Sequence, residues 1–331
     1  MTTHRDQHQR ILVTGAGGFL GRAVSLAAGR AGHDVHLLHR RRGASKVGQS
    51  APVQEWTADL TDTAAVRDVL RRAMPDVIVH CAGYANASRG LAQVEPAVRD
   101  NLVATACLMS AAAEIGGIRV VLCGSVEAPG GRVLADQVVP NSPYAASKFA
   151  EATYARMFHH LYGLDVSIAR LAVVYGPGDA RPAKLIPHIV TRLMQGETAE
   201  LSSGRRLIDW IHIDDAAAGL LACAVRDDLG GRTVDIGTGL LTSVADIARI
   251  VAGLLGRTEL LRLGSIPDRP SELECAADAN ATERLIGWRA AVPLKTGLEQ
   301  TIAWFRSVAP RPQKAVLTVY GDALNTSPVR A

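Results

Sequence analysis

The stretch VTGAGGFLG, Val13 to Gly21, decides the fold. The run RILVT before it, Arg10 to Thr14, has the apolar character of a short buried strand. The residues from Gly18 to Ala31 have helical spacing. Gly15, Gly18 and Gly21 fall at the turn between the two. A strand that turns tightly into a helix leaves unpaired backbone N–H groups and the positive end of the helix dipole facing the turn. Glycines there let a pyrophosphate approach the backbone. A glycine pattern alone carries little, but its place between a strand and a helix makes it a dinucleotide-binding signature.

Working outward, the same alternation continues. Val35–Leu38, Val77–His80, Val120–Cys123 and Val166–Ala169 read as strands. Thr61–Ala73, Ala92–Glu114 and Pro143–Tyr162 read as helices, the second of them long and Ala-rich. Strand followed by helix, repeated, predicts an α/β fold: a Rossmann-type, doubly wound parallel sheet covered on both faces, here over residues 1–170. After Tyr175 the rhythm loosens. YGPGDARP is a turn-rich loop. Helices are expected over 184–195, 214–225, 242–255 and 294–306, with a short strand over 209–213. These assign a smaller C-terminal, substrate-binding lobe to residues 171–310, with segments of about 205–235 returning to the first body. Residues 311–331 form a tail whose apolar run AVLTVY is either mobile or a strand docked on a partner.

Composition narrows the class. The 331 residues carry a net charge of +4, too small and too scattered for a nucleic-acid-binding face. Hydrophobic residues make up 48 % and aromatic ones 4 %, so the core is built from Ala, Val, Leu and Ile. No apolar run is long enough to span a membrane. The polar opening MTTHRDQHQR does not read as a signal peptide, and a cytoplasmic protein is expected. The five cysteines, Cys81, Cys107, Cys123, Cys223 and Cys275, have no CxxC spacing, so neither a disulfide framework nor a metal site is expected; buried thiols are.

The end of the second strand reads HLLHRRRG. In dinucleotide-binding folds a carboxylate there holds a ribose 2′-hydroxyl. Here His39 and Arg40 take that place, and an imidazole with a guanidinium suits a 2′-phosphate. NADP(H) is therefore favoured, with NAD(H) as the alternative. Asp59, in ADL, stands where it can meet the adenine amine. Farther on, VVLCGS places Ser125 at the C-terminal end of a strand, where open α/β sheets bind ligands. In NSPYAASKFAEA, Tyr144 and Lys148 are four residues apart and share a helix face. A phenol titrates near pH 10. The Lys148 ammonium and a cationic nicotinamide favour its phenolate, so Tyr144 can exchange a proton at neutral pH while a hydride moves to or from the ring. Ser125 then hydrogen-bonds the same substrate oxygen, and Lys148 also holds the nicotinamide ribose.

Taken together, TGAGGFLG, ADL, HCAG, GS, YAASK, RLAVVYGPGD, DWIHIDD, DIGTG and LIGW resemble the extended short-chain dehydrogenases/reductases, the NAD-dependent epimerase/dehydratase group, over about residues 10–306. The resemblance implies a Rossmann body, a C-terminal substrate lobe and a homodimer formed through the helices at 92–114 and 143–162. It implies cofactor contacts at Gly15, Gly18, Phe19, Leu20, Gly21, Asp59, Leu60, Cys81, Ala82, Gly83, Tyr144 and Lys148. It also implies a nucleotide-sugar substrate. The chain departs from the family at several points. Val126 and Glu127 stand where 4,6-dehydratases carry Asp-Glu; Glu127 alone resembles the base of GDP-mannose dehydratases and UDP-glucuronate decarboxylases. Ile208 replaces an Arg that holds the substrate diphosphate, a loss that Arg205 or Arg206 can make good. Arg269 falls near a second phosphate-binding Arg. The departures favour a 4-ketoreductase using NADPH, with a 4-epimerase next and a dehydratase or decarboxylase using Glu127 third. A carbonyl reductase for a non-sugar metabolite and a non-catalytic dinucleotide sensor complete the alternatives.

Overall fold

A computed structural model describes residues 8–41, 53–128, 139–268 and 274–308. The first body is a parallel seven-stranded sheet. In chain order its strands are β1 (Arg10–Thr14), β2 (Asp34–His39), β3 (Gln54–Thr57), β4 (Val77–His80), β5 (Arg119–Ser125) and β6 (Val166–Leu171), with β10 (Thr233–Ile236) added from the second half. They lie side by side in the order β10-β6-β5-β4-β1-β2-β3, every neighbouring pair parallel. The order reverses at β1, whose neighbours are β2 and β4. This opens a crevice at the C-terminal strand ends, where doubly wound sheets bind ligands.

The strands are buried on both faces, so they alternate between two apolar clusters rather than between core and water. Ile11, Val13 and Leu37 face one side, with α1 (Phe19–Arg30) and α7 (Ile213–Ala224). Leu12 and Leu38 face the other, with α2 (Thr63–Ala73), α4 (Ala104–Ile115) and α5 (Pro143–Tyr162). Each of these five side chains is at most 2 % exposed, a burial that contributes roughly 1.5–3 kcal/mol per side chain.

Helix starts follow local chemistry. The Asp62 carboxylate accepts from the Ala65 N–H and caps α2. The Ser142 hydroxyl accepts from the Ala145 N–H, and Pro143 fills the first turn of α5, where its missing N–H costs nothing. That cap fixes Tyr144 at the start of the helix.

The long helix expected over 92–114 is broken in character. After a 3₁₀ turn at Leu91–Gln93 come α3 (Val94–Ala97), a π-helical segment at Val98–Val103, and α4. The sequence VRDNLV has no local signal for this widening, and the segment packs against α5.

The second body has its own core, with Ile189, Leu193, Ile247, Val251 and Leu298 fully buried. Its parts include α6 (Leu185–Met194), α8 (Val244–Leu255) and α10 (Leu294–Val308), and a sheet of β7 (Val173–Tyr175), β9 (Leu207–His212) and β11 (Leu241–Ser243) in the order β11-β9-β7. A pair of strands, β8 (Ala199–Leu201) and β12 (Leu261–Leu263), completes it. Within 205–235, α7 and β10 return to the first body, but β9 does not; it pairs with β7 and β11. The tail from 309 onward, with its AVLTVY run, lies outside the described residues.

The cysteines are all free, but not uniformly buried: Cys123 and Cys223 are buried, Cys81 and Cys107 half-buried, and Cys275 exposed. Among the described residues no helix is long and apolar enough to cross a membrane.

Candidate active site

A cleft of about 230 Å³ opens at the reversal point of the sheet. Its walls include Gly15, Gly18, His39, Arg40, Asp59, Leu60, Cys81, Ala82 and Gly83, nine positions read from the sequence, and also Asp100, which the sequence did not single out. Gly15 has φ +64°, and a Cβ on it would come within 2.7 Å of the Ala82 backbone. Gly21 packs its α-carbon against the Gly15 peptide, where a Cβ would lie 2.8 Å from the Gly15 carbonyl carbon. These contacts make a side-chain-free cradle over the N-terminus of α1, the shape a dinucleotide pyrophosphate needs. The residues present therefore fit a nicotinamide dinucleotide.

Phe19 and Leu20 do not line this cleft. The Arg181 guanidinium lies 5.5 Å from the centre of the Phe19 ring, and Leu20 packs against the apolar core. At the adenosine end, Asp59 accepts from the Thr61 N–H (3.0 Å) and hydroxyl (2.8 Å). Those hydrogen bonds hold its carboxyl below the usual range. His39 is buried, and its Nε2 has no partner. Arg40 Nη1 lies 3.5 Å from Asp100 Oδ1.

Ser125 is the last residue of β5, and Tyr144 and Lys148 lie in the first turns of α5. The Ser125 hydroxyl accepts from the Glu127 N–H at 3.1 Å. Lys148 is 7 % exposed and donates from Nζ to the Cys123 carbonyl at 3.1 Å. Burial pushes the Tyr144 phenol up, and the Lys148 charge pulls it down by less; Glu127 pushes it up again, so the net direction is above the ordinary value. The protein alone does not prepare a phenolate, because removing phenol from water disfavours its charged form more than one ammonium favours it.

Glu127 Oε1 faces Arg206 Nη2 at 3.1 Å in a small cleft lined also by Val126, Asn141 and Cys275. Arg205 lies elsewhere: its side chain is 85 % exposed and pairs with Asp268 at 3.3 Å. Of the two candidates to replace the missing Arg at Ile208, only Arg206 lines the cleft. Arg206, just before β9, and Ile208 both line this cleft. Arg269 lies outside the described residues. Lys184, just before α6, was read only as the start of a helix. Burial pulls its ammonium below the usual range, with Arg181 adding to this and Glu127 opposing it. Asn101 was also missed. Fully buried in the π-helical segment, it accepts from the Tyr84 N–H at 2.6 Å and donates to the Ser147 hydroxyl at 2.7 Å, tying the cleft wall to α5.

This arrangement sets a phenol, a hydroxyl and an ammonium beside a dinucleotide cradle, with a carboxylate nearby. It can move a proton on a substrate oxygen while a hydride leaves or joins the attached carbon.

Comparison with known proteins agrees with the geometry. A dTDP-glucose 4,6-dehydratase of Streptomyces griseus is 31 % identical over 319 residues, covering 92 % of this chain and 94 % of that one. A UDP-glucose 4-epimerase of Mycolicibacterium smegmatis is 29 % identical over 317 residues, covering 90 % and 99 %. A crystal structure of a dTDP-glucose 4,6-dehydratase from Streptomyces venezuelae, with NAD and TYD bound, superposes with a TM-score of 0.80 at 31 % identity, covering 90 % of this chain and 97 % of that one. The sequence profile of the NAD dependent epimerase/dehydratase family matches residues 11–237, a span that runs from β1 to the last strand of the parallel sheet and takes in the cradle, Ser125, Tyr144 and Lys148. The chain is an enzyme of that NAD-dependent epimerase/dehydratase family.

Proposed function

We propose that this enzyme acts on a nucleotide sugar, oxidising a ring carbon to a transient ketone and reducing the rearranged product in the same site. Tyr144 takes the proton from the substrate hydroxyl and returns it, Ser125 orients that oxygen, and Lys148 supplies the neighbouring positive charge. A nicotinamide dinucleotide in the cleft carries the hydride. Glu127 serves as a second base, removing the proton next to the new ketone. The observation that carries this reading is Glu127, two residues past Ser125: its N–H donates to the Ser125 hydroxyl at 3.1 Å, and its carboxylate, half-buried, meets Arg206 at 3.1 Å in the small cleft lined by Val126 and Cys275. A net ketoreductase, the first expectation from the sequence, has no use for a second base, and the relatives reported above are dehydratases and an epimerase.

A 4-epimerase is the second reading. It is favoured by Val126, which supplies no acid for a leaving hydroxyl, and by the Arg206 partner of Glu127. Incubation with dTDP-glucose and UDP-glucose in deuterated water separates the readings. Deuterium on the carbon beside the ketone, lost in Glu127→Gln, supports the second-base role. A C4 epimer without deuterium replaces it with the epimerase. Mole-for-mole consumption of added NADPH when a 4-keto nucleotide sugar replaces these alcohols points back to a reductase.

For the cofactor, Arg40 already has the Asp100 carboxylate at 3.5 Å, which offsets its pull on a 2′-phosphate, and the unpartnered His39 Nε2 suits a ribose hydroxyl. This argues for NAD over the NADP expected from the sequence, and the S. venezuelae structure holds NAD. Denaturing the purified protein and identifying the released dinucleotide tests it. We also propose the homodimer, because Leu91, Val94, Val98, Tyr154 and Leu161 expose apolar surface along the two helical segments expected to form it.

A further inference from the structure

Tyr144, Lys148 and Glu151 stand at i, i+4 and i+7 on α5, one face of one helix. Glu151 is fully buried, and its Oε2 lies 2.8 Å from Lys148 Nζ. The other oxygen, Oε1, accepts from the Thr105 hydroxyl at 2.9 Å. From Thr105 the contacts continue without a break. His80 Nε2 lies 2.9 Å from Thr105 Oγ1, His80 Nδ1 lies 2.7 Å from Thr14 Oγ1, and Thr14 Oγ1 accepts from the Ala82 N–H at 3.1 Å.

Donor counting fixes the direction of this file. A carboxylate accepts only, so the Thr105 hydrogen points to Glu151, and Thr105 must accept from His80 Nε2–H. His80 then accepts at Nδ1 from the Thr14 hydroxyl, which itself accepts from Ala82. Each hydroxyl gives one hydrogen bond and receives one, all running from the wall of the cofactor cleft toward the carboxylate. Thr14, His80, Thr105 and Glu151 are each at most 1 % exposed. A buried acid with no stake in the chemistry would be expensive to keep there.

We propose that Glu151 is a positioning residue for Lys148: it keeps the ammonium buried, charged and aimed at the end of β5 beneath Tyr144, and is itself held by a one-way file of hydrogen bonds that begins at the cofactor cleft. The inference rests on Tyr144 and Lys148 being the acid/base pair. Titratable groups face Lys148 from every side: His80 and Cys81 at the end of β4, Cys123 on β5, Glu127 beyond it, and Tyr144 and Glu151 on α5 itself. Burial pulls the Lys148 ammonium down; Glu151 leads the groups that outweigh it, and the lysine stands above its ordinary range.

The test needs neither substrate nor cofactor, so it succeeds or fails independently of the proposed function. The chain has five lysines, few enough for ¹³C-lysine labelling to resolve each ε-carbon, with Lys148→Arg assigning the signal. In the wild-type protein Lys148 should stay protonated beyond the ordinary lysine range near pH 10.4. In Glu151→Gln its midpoint should fall by more than about one pH unit, while Lys184 and Lys295 titrate as before. Glu151→Asp, which keeps the charge, should restore most of the shift. A Lys148 midpoint that is equal in the wild type and Glu151→Gln overturns the proposal. So does a wild-type midpoint at or below the ordinary range, which decides the matter even where the Gln variant fails to fold.

Discussion

Tyr144 carries the sharpest prediction at the scale of one residue. Removing its hydroxyl as Tyr144→Phe should lower turnover by about 10²- to 10⁴-fold, with thermal unfolding and dinucleotide binding close to wild type. Steady-state kinetics with any working nucleotide sugar checks this, and unchanged turnover would refute the assignment. His80 makes a second prediction. Burial, reinforced by the Lys148 charge, pushes its imidazole down to about 3. An unfolded histidine binds its proton near pH 6.5. Between those limits the unfolded chain holds more protons than the folded one, so stability falls as pH falls. Going from pH ~7 to ~4.5 should cost the wild type about 2–3 kcal/mol more than His80→Gln, read from urea unfolding at both values. His80 could be placed on a strand from the sequence, but its partners could not, because Thr14 and Thr105 come from other elements 66 and 25 residues away. Glu151 left a faint trace, a charge on the same helix face as the Tyr/Lys pair, that only its burial makes meaningful.

Elements divide by how much local signal they carry. β1, β2, β4, β5 and β6 were legible because their apolar runs are continuous and their spacing is regular, whereas β10, TVDI, was not read as a strand. β3, QEWT, is an edge strand with mostly exposed side chains, and β8 and β12 have three residues each, so none has a pattern to read. The π-helical segment carries no pattern of its own, although it places Asp100 in the cleft wall and Asn101 against Tyr84 and Ser147. β9 was legible as a strand but not as to its partners. One residue on it does most of the joining. Asp209, 1 % exposed, accepts from the N–H groups of Thr238 (3.0 Å), Gly239 (2.9 Å) and Ala277 (3.1 Å) and from the Thr238 hydroxyl (2.6 Å). Asp209→Ala would leave those donors buried and unmet. It should cost about 3 kcal/mol or more in chemical denaturation, whereas Asp246→Ala, exposed in the first turn of α8, should cost far less.

On the scale of the whole molecule, the proposed dimer is open to direct disruption. Val98→Glu with Tyr154→Glu puts two charges into the exposed apolar surface of the helical face and should shift the protein to monomer in sedimentation velocity, with the cofactor cleft retained. A wild type that sediments as a monomer at micromolar concentration would sink the dimer. The route of the chain between the two bodies has a further consequence. β10, the edge partner of β6, is not made until residue 236, after the chain has left the sheet at Leu171 and passed through part of the second body. During synthesis at ~5–20 residues per second, β6 waits roughly 3–12 s with a bare hydrogen-bonding edge. α7, which covers one face of the sheet, arrives just as late. The nascent first body is thus a sticky, half-clad sheet that depends on the ribosome reaching residue 236, and a transcript truncated near residue 200 would yield an aggregate rather than a smaller working protein.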